Sequence, residues 1–192
     1  MAVKIDMKTS VASVIAMVGG ATAVNAQDWS GAYAGVGVGS EGGWLGNYYS
    51  NDDYPDDYHY AGAGSLSGFV GYNIQLDNFV VGAEVSYTGT QLATTQDDGD
   101  YDYVRNSMLD VKLRGGIPMG KALIFGFAGL SVSTQYLEDD YVGMGLNFGG
   151  GVDYQLTDSF FVGAEYTGRL MTGHYETGSY DSTIGFRAGM RF

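Results

Sequence analysis

Hydrophobic and polar residues alternate along most of the chain, and the alternation is clearest at its C-terminal end. There every second position is apolar, and Arg187 and Arg191 lie between these positions; the apolar residues are Ile184, Phe186, Ala188, Met190 and Phe192. Successive side chains of a β-strand point to opposite faces, so this spacing predicts a strand with one apolar and one charged face. Similar segments predict eight strands, at residues 29–40, 64–73, 79–88, 107–117, 122–133, 143–154, 160–171 and 182–192. The pattern assigns no faces to the second and fifth strands.

The connections between these segments are short and long in turn. Residues 74–78, 118–121 and 155–159 form short connections, and the longer polar ones are 41–63, 89–106, 134–142 and 172–181. Segments of about ten residues suit tilted strands that cross a bilayer. An even number of strands with this arrangement of connections is typical of bacterial outer-membrane barrels. The predicted fold is therefore all-β, an eight-stranded antiparallel transmembrane β-barrel with short periplasmic turns and four longer extracellular loops.

Charged residues separate into two groups that support this prediction. The formal net charge is −13, and the acids crowd the four long connections: Glu41, Asp52, Asp53, Asp56, Asp57, Asp97, Asp98, Asp100, Asp102, Glu138, Asp139, Asp140, Glu176 and Asp181. The charges within strands nearly cancel and all fall opposite the apolar face: Glu84, Asp110, Lys112, Arg114, Asp153, Glu165, Arg169, Arg187 and Arg191. Isolated buried charges are costly, so a narrow lumen requires such a balanced set.

These inward charges predict an ion-pair network in the lumen, formed by Glu84, Asp110, Lys112, Arg114, Glu165, Arg169, Arg187 and Arg191. Eight strands enclose an interior just wide enough for side chains to fill. The network is therefore expected to plug the barrel. The alternative is a narrow ion pathway lined by the same charges.

Residues 1–26 have the features of a secretory signal peptide. Lys4 and Lys8 precede the apolar run 11–18, and Ala26 is a small residue of the kind that signal peptidase requires before its cleavage site. Translation from Met7 would leave a complete signal as well. We expect cleavage after Ala26, which makes residues 27–192 the barrel domain. The chain contains no cysteine, so this exported domain has to fold without disulfides.

Candidate catalytic and metal-binding residues are few. The two histidines, His59 and His174, lie in predicted outer loops, where His174 has Glu176 and two serines near it in sequence. A triad is recognised only by its geometry, so a rim enzyme is a distant alternative. Alternate acids at 98–102 suggest a hard-cation site, but the glycine and glutamate of a calcium-binding hand are missing. We therefore predict no enzyme activity, no cofactor and no metal, and the acidity argues against nucleic acid.

Tyrosines are interleaved with the acids of the predicted loops, at positions 48, 49, 54, 58, 60, 101, 103, 136, 141, 175 and 180. Tyrosine provides contact area at little entropic cost, as in antibody loops. Those near strand ends could instead form the aromatic girdle of a membrane barrel. Both interpretations stay open at this point.

Several short motifs resemble small outer-membrane barrels of the opacity and OmpA-like type, a group of surface antigens and porin-like proteins. They are the sequence WSGAY at 29–33, GYN at 71–73, VGAE at 81–84, AEY at 164–166 and the terminal Arg191-Phe192. The chain departs from the family where Thr167 stands in place of an arginine, with Arg169 two residues later.

The resemblance implies a location in the Gram-negative outer membrane and a structural or surface-antigen role that supports envelope integrity or adhesion. It implies contact with outer-membrane lipids and lipopolysaccharide, and possible host or surface ligands for the loops. It also implies recognition by the barrel-assembly machinery, with Phe186, Met190 and Phe192 as the assembly signal. A small-solute channel is the main alternative function, and a lipid-modifying enzyme is the distant one.

Overall fold

The computed structural model describes residues 28–46, 57–90, 104–136, 140–172 and 178–192. These residues form eight antiparallel strands that close into one barrel in sequential order. The strands are β1 (Gly31–Gly46), β2 (Asp57–Leu76), β3 (Phe79–Thr90), β4 (Val104–Met119), β5 (Ala122–Tyr136), β6 (Asp140–Gln155), β7 (Phe160–Thr172) and β8 (Gly178–Arg191). The predicted fold is thus confirmed. In the described part of the chain, no helix is both long and apolar enough to cross a membrane.

Each strand pairs with its neighbour in the chain, and β1 pairs with β8 to close the barrel. The closing register runs from Tyr33 opposite Arg191 to Leu45 opposite Ser179. Short turns at 77–78, 120–121 and 156–159 connect the hairpins at one end, which we call the short-turn end. Positive φ angles at Asp77 (50°) and Gly120 (62°) allow two of these turns to be tight.

The strands at the opposite end are longer than predicted. β2 has 20 residues against 12 in β3, and β1 stays paired with β2 as far as Gly46 opposite Asp57. The predicted loops 41–63, 89–106, 134–142 and 172–181 are therefore wrong at their edges, because pairing continues after the apolar alternation stops. Backbone hydrogen bonds extend a hairpin wherever its two strands remain adjacent, whatever the side chains.

Four acids assigned to the outer loops lie in strands instead, and two of them, Asp57 and Asp140, are the first residues of β2 and β6. Glu41 belongs to β1 and Asp181 to β8, and both side chains are buried. Their placement among the exterior acids was therefore wrong. They add to the inward charges at the end of the barrel opposite the short turns.

The outward face is a belt of exposed apolar side chains, as the alternation predicted. Leu113 is 71% exposed and Phe186 72%, and the belt also contains Val36, Leu66, Ile74, Ile117, Leu130, Leu146 and Ile184. So large an apolar surface is normal only where lipid or a partner covers it.

The inward face of the short-turn half is apolar and largely aromatic. One buried cluster contains Trp29, Val80, Leu123, Phe125 and Phe127, and a second contains Tyr33, Phe69 and Phe161. The structure thereby assigns the faces of the fifth strand, which the sequence left open.

Each of these inward rings except that of Trp29 lies across a glycine of the adjacent strand. The directly paired positions are Tyr33–Gly71, Phe69–Gly35, Phe125–Gly151, Phe127–Gly149 and Phe161–Gly189. A Cβ atom at Gly35 would lie 2.3 Å from Cζ of Phe69 and 2.3 Å from the backbone oxygen of Ala188. Any side chain at Gly35 would displace the ring, so the glycine makes room for the aromatic layer.

Candidate functional site in the barrel lumen

The centre of the lumen is built around the carboxylate of Glu84, which projects inward from β3. Its side chain is 1% exposed, and it accepts hydrogen bonds from four groups: Tyr33 Oη at 3.0 Å, Lys112 Nζ at 3.3 Å, Arg114 Nη1 at 2.9 Å and Arg187 Nη2 at 2.7 Å. The donors come from β1, β4 and β8, so one buried carboxylate joins four strands. A carboxylate is acceptor-only when ionised, which suits a site surrounded by donors.

Two further acids complete this inner cluster. Glu165 accepts from Lys112 Nζ and from Arg187 Nη1, each at 2.5 Å, and Asp153 accepts from Arg114 Nη2 at 2.9 Å. Three carboxylates therefore face three cations, and the formal charge of the cluster is zero. The inner cluster consists of Glu84, Asp153, Glu165, Lys112, Arg114 and Arg187. Its members are buried, apart from a Glu165 side chain that is 14% exposed.

The cations of the inner cluster lie on the aromatic layer below them. The guanidinium carbon of Arg114 lies 3.9 Å from the ring centroid of Phe125, and that of Arg187 lies 3.9 Å from the centroid of Phe69. Lys112 Nζ lies 4.6 Å from the centroid of Phe127. Cations at these distances are attracted to the ring faces, so the aromatic layer supports the ion pairs as well as excluding water.

A second cluster lies further from the short turns and joins β4, β5, β7 and β8. Arg169 donates to both carboxylate oxygens of Asp110, from Nε at 3.0 Å and from Nη2 at 2.6 Å. Ser131 donates to Asp110 at 2.5 Å, and Arg169 Nη1 donates to Thr183 at 2.8 Å. The two-point contact of a guanidinium with a carboxylate fixes both side chains.

Arg191 lies apart from both clusters, at the short-turn end. It donates to the backbone oxygen of Asp28 and to that of Asp158, the latter at 2.9 Å. Its guanidinium carbon lies 5.2 Å from the ring of Trp29. The structure therefore brings seven of the eight predicted network residues into two ion-pair clusters and places Arg191 in another role.

A small polar cavity remains in the lumen between β8, β1, β2, β3, β4 and β7. Its volume is about 50 Å³, and its lining includes Ser65, Ser67, Ser86, Thr88, Thr167 and Thr183 together with residues of both clusters. This is enough for a few water molecules. Glu84, Lys112, Glu165 and Arg187 of the inner cluster form part of its wall, together with Phe69 of the aromatic layer.

Several lumen residues were absent from the predicted network. Asp153 was placed on the inner face but not in the network, and Glu41 and Asp181 were assigned to loops. Phe125 and Phe127 were missed because both faces of β5 are apolar. A glycine at the paired position of the next strand marks each inward aromatic residue of β5, but this pairing can be recognised only once the strand register is known.

Other predicted sites lie partly or wholly outside the described residues. This applies to His174, to the acids at 98–102 and to the side chain of His59, whose backbone is part of β2. Among the described residues, no group of three or more His, Cys, Asp or Glu is placed to hold a metal ion. Of the predicted assembly signal, Phe186 points outward in β8, and Met190 and Phe192 are partly exposed.

Comparisons with known proteins agree with this architecture. The attachment invasion locus protein of Yersinia pestis superposes with a TM-score of 0.51 at 14% identity, covering 85% of this chain and 99% of that one. Neisserial surface protein A superposes with a TM-score of 0.56 at 13% identity, covering 85% of this chain and 98% of that one. At such identities the likeness concerns the fold alone. No curated protein matches the chain.

The sequence of the chain also matches a family directly. The family described as "Outer membrane protein beta-barrel domain" matches residues 10–192, nearly the whole chain. Its closed barrel, lipid-facing belt and ion-paired lumen are the features expected of a small barrel of the OmpA and opacity type. The chain belongs to the outer-membrane β-barrel family, and it is an integral protein of the outer membrane.

Proposed function

We propose that the protein is a structural surface barrel, which anchors acidic, tyrosine-rich loops at the cell exterior and supports envelope integrity or adhesion. The observation that carries this proposal is the filled lumen. A charge-neutral inner cluster lies on an aromatic layer, and a small cavity of about 50 Å³ adjoins it. With the lumen occupied by side chains, the surfaces left for interaction are the lipid-facing belt and the loops.

The partners follow from these surfaces. The apolar belt contacts outer-membrane lipids, including lipopolysaccharide in the outer leaflet, and the loops take a host or surface ligand. Phe186, Met190 and Phe192 form the signal for the barrel-assembly machinery. The net charge of −13 disfavours nucleic acid. The proposal involves no enzymatic activity, cofactor or metal.

A small-solute channel is the second candidate, and the hydroxyl-lined cavity is the observation in its favour. Conduction would require a path through the ion pairs of the inner cluster and then through the apolar residues of the short-turn half. Opening such a path breaks buried ion pairs, which is expensive. We therefore expect purified monomer in planar bilayers to show no steady single-channel openings. Regular openings from monomer would establish the channel and overturn the proposal of a structural barrel with a filled lumen.

The surface role is tested in a deletion strain complemented with either of two forms of the protein. One is the wild type, and the other carries Asp→Asn changes at four acids between β1 and the start of β2, Asp52, Asp53, Asp56 and Asp57. We expect deletion to increase detergent sensitivity or to reduce attachment of intact cells, and the wild type to restore both. The neutralised form should restore integrity but not charge-dependent attachment. A deletion strain unchanged in both properties would refute the proposal.

A further inference from the structure

The segment that precedes β1 folds into the short-turn mouth of the barrel. Residues 28–30 lie outside the strands, yet Trp29 is only 1% exposed and belongs to the apolar cluster with Leu123 and Phe125. Its ring meets that of Phe161 edge-on, with centroids 6.4 Å apart. A tryptophan at an open mouth would be exposed to solvent. Because Trp29 is buried, the segment itself covers the mouth.

Polar contacts hold this segment to two different strands. On β2, the backbone N–H of Trp29 donates to Gln75 Oε1 at 2.9 Å, and the backbone N–H of Gln75 donates to Ser30 Oγ at 3.0 Å. On β8, Arg191 donates to the backbone oxygen of Asp28 and stacks near the indole ring. The segment thus spans the closing seam between β1 and β8.

The link from this segment into β1 requires a glycine. Gly31 has a φ of 116°, and a Cβ there would lie 2.7 Å from the backbone oxygen of Phe192. The N–H of Phe192 in turn donates to the backbone oxygen of Ala32 at 2.9 Å. The chain therefore turns sharply inward at the point where the last residue is bonded to the first strand.

We infer that residues 28–30 form a latch, which seals the short-turn mouth and engages only after β1 and β8 have paired. We infer this order because the residues that contact the latch come from strands on both sides of β1. Gln75 comes from β2, Phe161 from β7 and Arg191 from β8, and these surround Trp29 only in a closed barrel. In an open sheet β1 and β8 are opposite edges, so Arg191 is far from Asp28.

A latch that forms after closure stabilises the native state more than the folding transition state. Its loss should therefore increase the rate of unfolding and leave the rate of folding nearly unchanged. We expect Trp29→Ala to unfold about tenfold faster or more in phosphatidylcholine vesicles. Trp29→Phe is the matched control, since no described residue accepts a hydrogen bond from the indole N–H, and its unfolding rate should stay within about twofold of the wild type.

The order of events is tested without relying on Trp29→Ala. The chain has two tryptophans, so Trp44→Phe leaves Trp29 as the only one. During refolding of this protein from urea, the blue shift of Trp29 fluorescence should lag behind the far-UV circular dichroism signal of the sheet. Adding Arg191→Gln should leave heat-modifiable gel migration intact while raising iodide quenching of Trp29.

Each result decides for or against the latch. Trp29 burial that accompanies or precedes sheet formation would show that the segment helps to nucleate the barrel, which contradicts the inference. Unchanged quenching in Arg191→Gln would also contradict the inference, because the segment would then be held without its contact to β8. Slower folding of Trp29→Ala with an unchanged unfolding rate would overturn it as well.

Discussion

Glu84→Gln removes the carboxylate on which four buried donors of the lumen converge. Glutamine keeps the size of the side chain but has one oxygen instead of two, and it adds an amide N–H₂ group among donors. The inner cluster would change from three acids and three cations to two acids and three cations. The expected consequence is a large loss of stability with the fold retained.

The size of the loss follows from the contacts. A cation about 3 Å from the carboxylate gains about 5 kcal/mol of gross attraction at an effective dielectric constant of about 20. Desolvation of both partners offsets most of this gain. Breaking a buried ion pair by removing one partner costs about 3–5 kcal/mol net. We expect that range for Glu84→Gln, because Lys112, Arg114 and Arg187 all lose an ion pair at 3.3 Å or less.

Glu165→Gln is the matched control. Glu165 contacts two cations of the same cluster, Lys112 and Arg187, and its side chain is more exposed, at 14%. We expect a loss of about 1.5–3 kcal/mol, the range for hydrogen bonds to charged groups. A double variant, Glu84→Gln with Lys112→Met, restores charge neutrality and should recover at least half of the stability lost in Glu84→Gln.

The assay is equilibrium urea unfolding in vesicles, followed by tryptophan fluorescence and by gel migration. The midpoint should fall in the order wild type, Glu165→Gln, Glu84→Gln. A Glu84→Gln protein within about 0.5 kcal/mol of wild type, the range of ordinary surface substitutions, would refute the view that the inner cluster holds the barrel together. Equal losses of stability in the two variants would show that the burial of the carboxylate does not determine how much stability its removal costs.

Two further pairs of substitutions test the aromatic layer and the lipid-facing belt. Gly35→Val should displace the ring of Phe69 and prevent heat-modifiable folding, whereas Gly64→Ala, with nothing within 4 Å of its Cβ, should fold normally; normal folding of Gly35→Val would contradict the close approach. Leu113→Arg, at an outward position in the middle of β4, should destabilise the barrel by about 2–4 kcal/mol in vesicles, and Leu76→Arg beside a turn by about 0–1 kcal/mol. Equal losses of stability at the two positions, measured by urea unfolding, would mean that the depth of the residue in the bilayer does not determine the cost of the arginine.

Alternation alone was sufficient to predict the barrel and the inward placement of its charged side chains. Arg187 and Phe186 illustrate the reason. Neighbours in a strand point to opposite sides, and a charge can avoid lipid only by pointing into the lumen. Where every second residue is charged or polar, the sequence therefore distinguishes inside from outside.

The same reasoning could not place the aromatic layer or the strand ends. In β5, Phe125 and Ile124 are both apolar, so nothing in the strand itself tells which one faces lipid. The decision depends on Gly151 across the β5–β6 pair, and that pairing is not visible from one strand. Glu41 was misplaced for a related reason, since an acid after an apolar run resembles the start of a loop although backbone pairing continues past it.

The aromatic layer and the polar cavity divide the lumen into a dry half and a wet half, and the division has a practical consequence. Among the described residues, the aromatic layer and the inner cluster both lie toward the short turns. Replacement of the exterior loops with foreign sequences should therefore be tolerated far better than point changes near the short-turn mouth. Such a barrel would serve as a carrier for displaying peptides on bacterial cells, with the aromatic layer and the inner cluster unchanged.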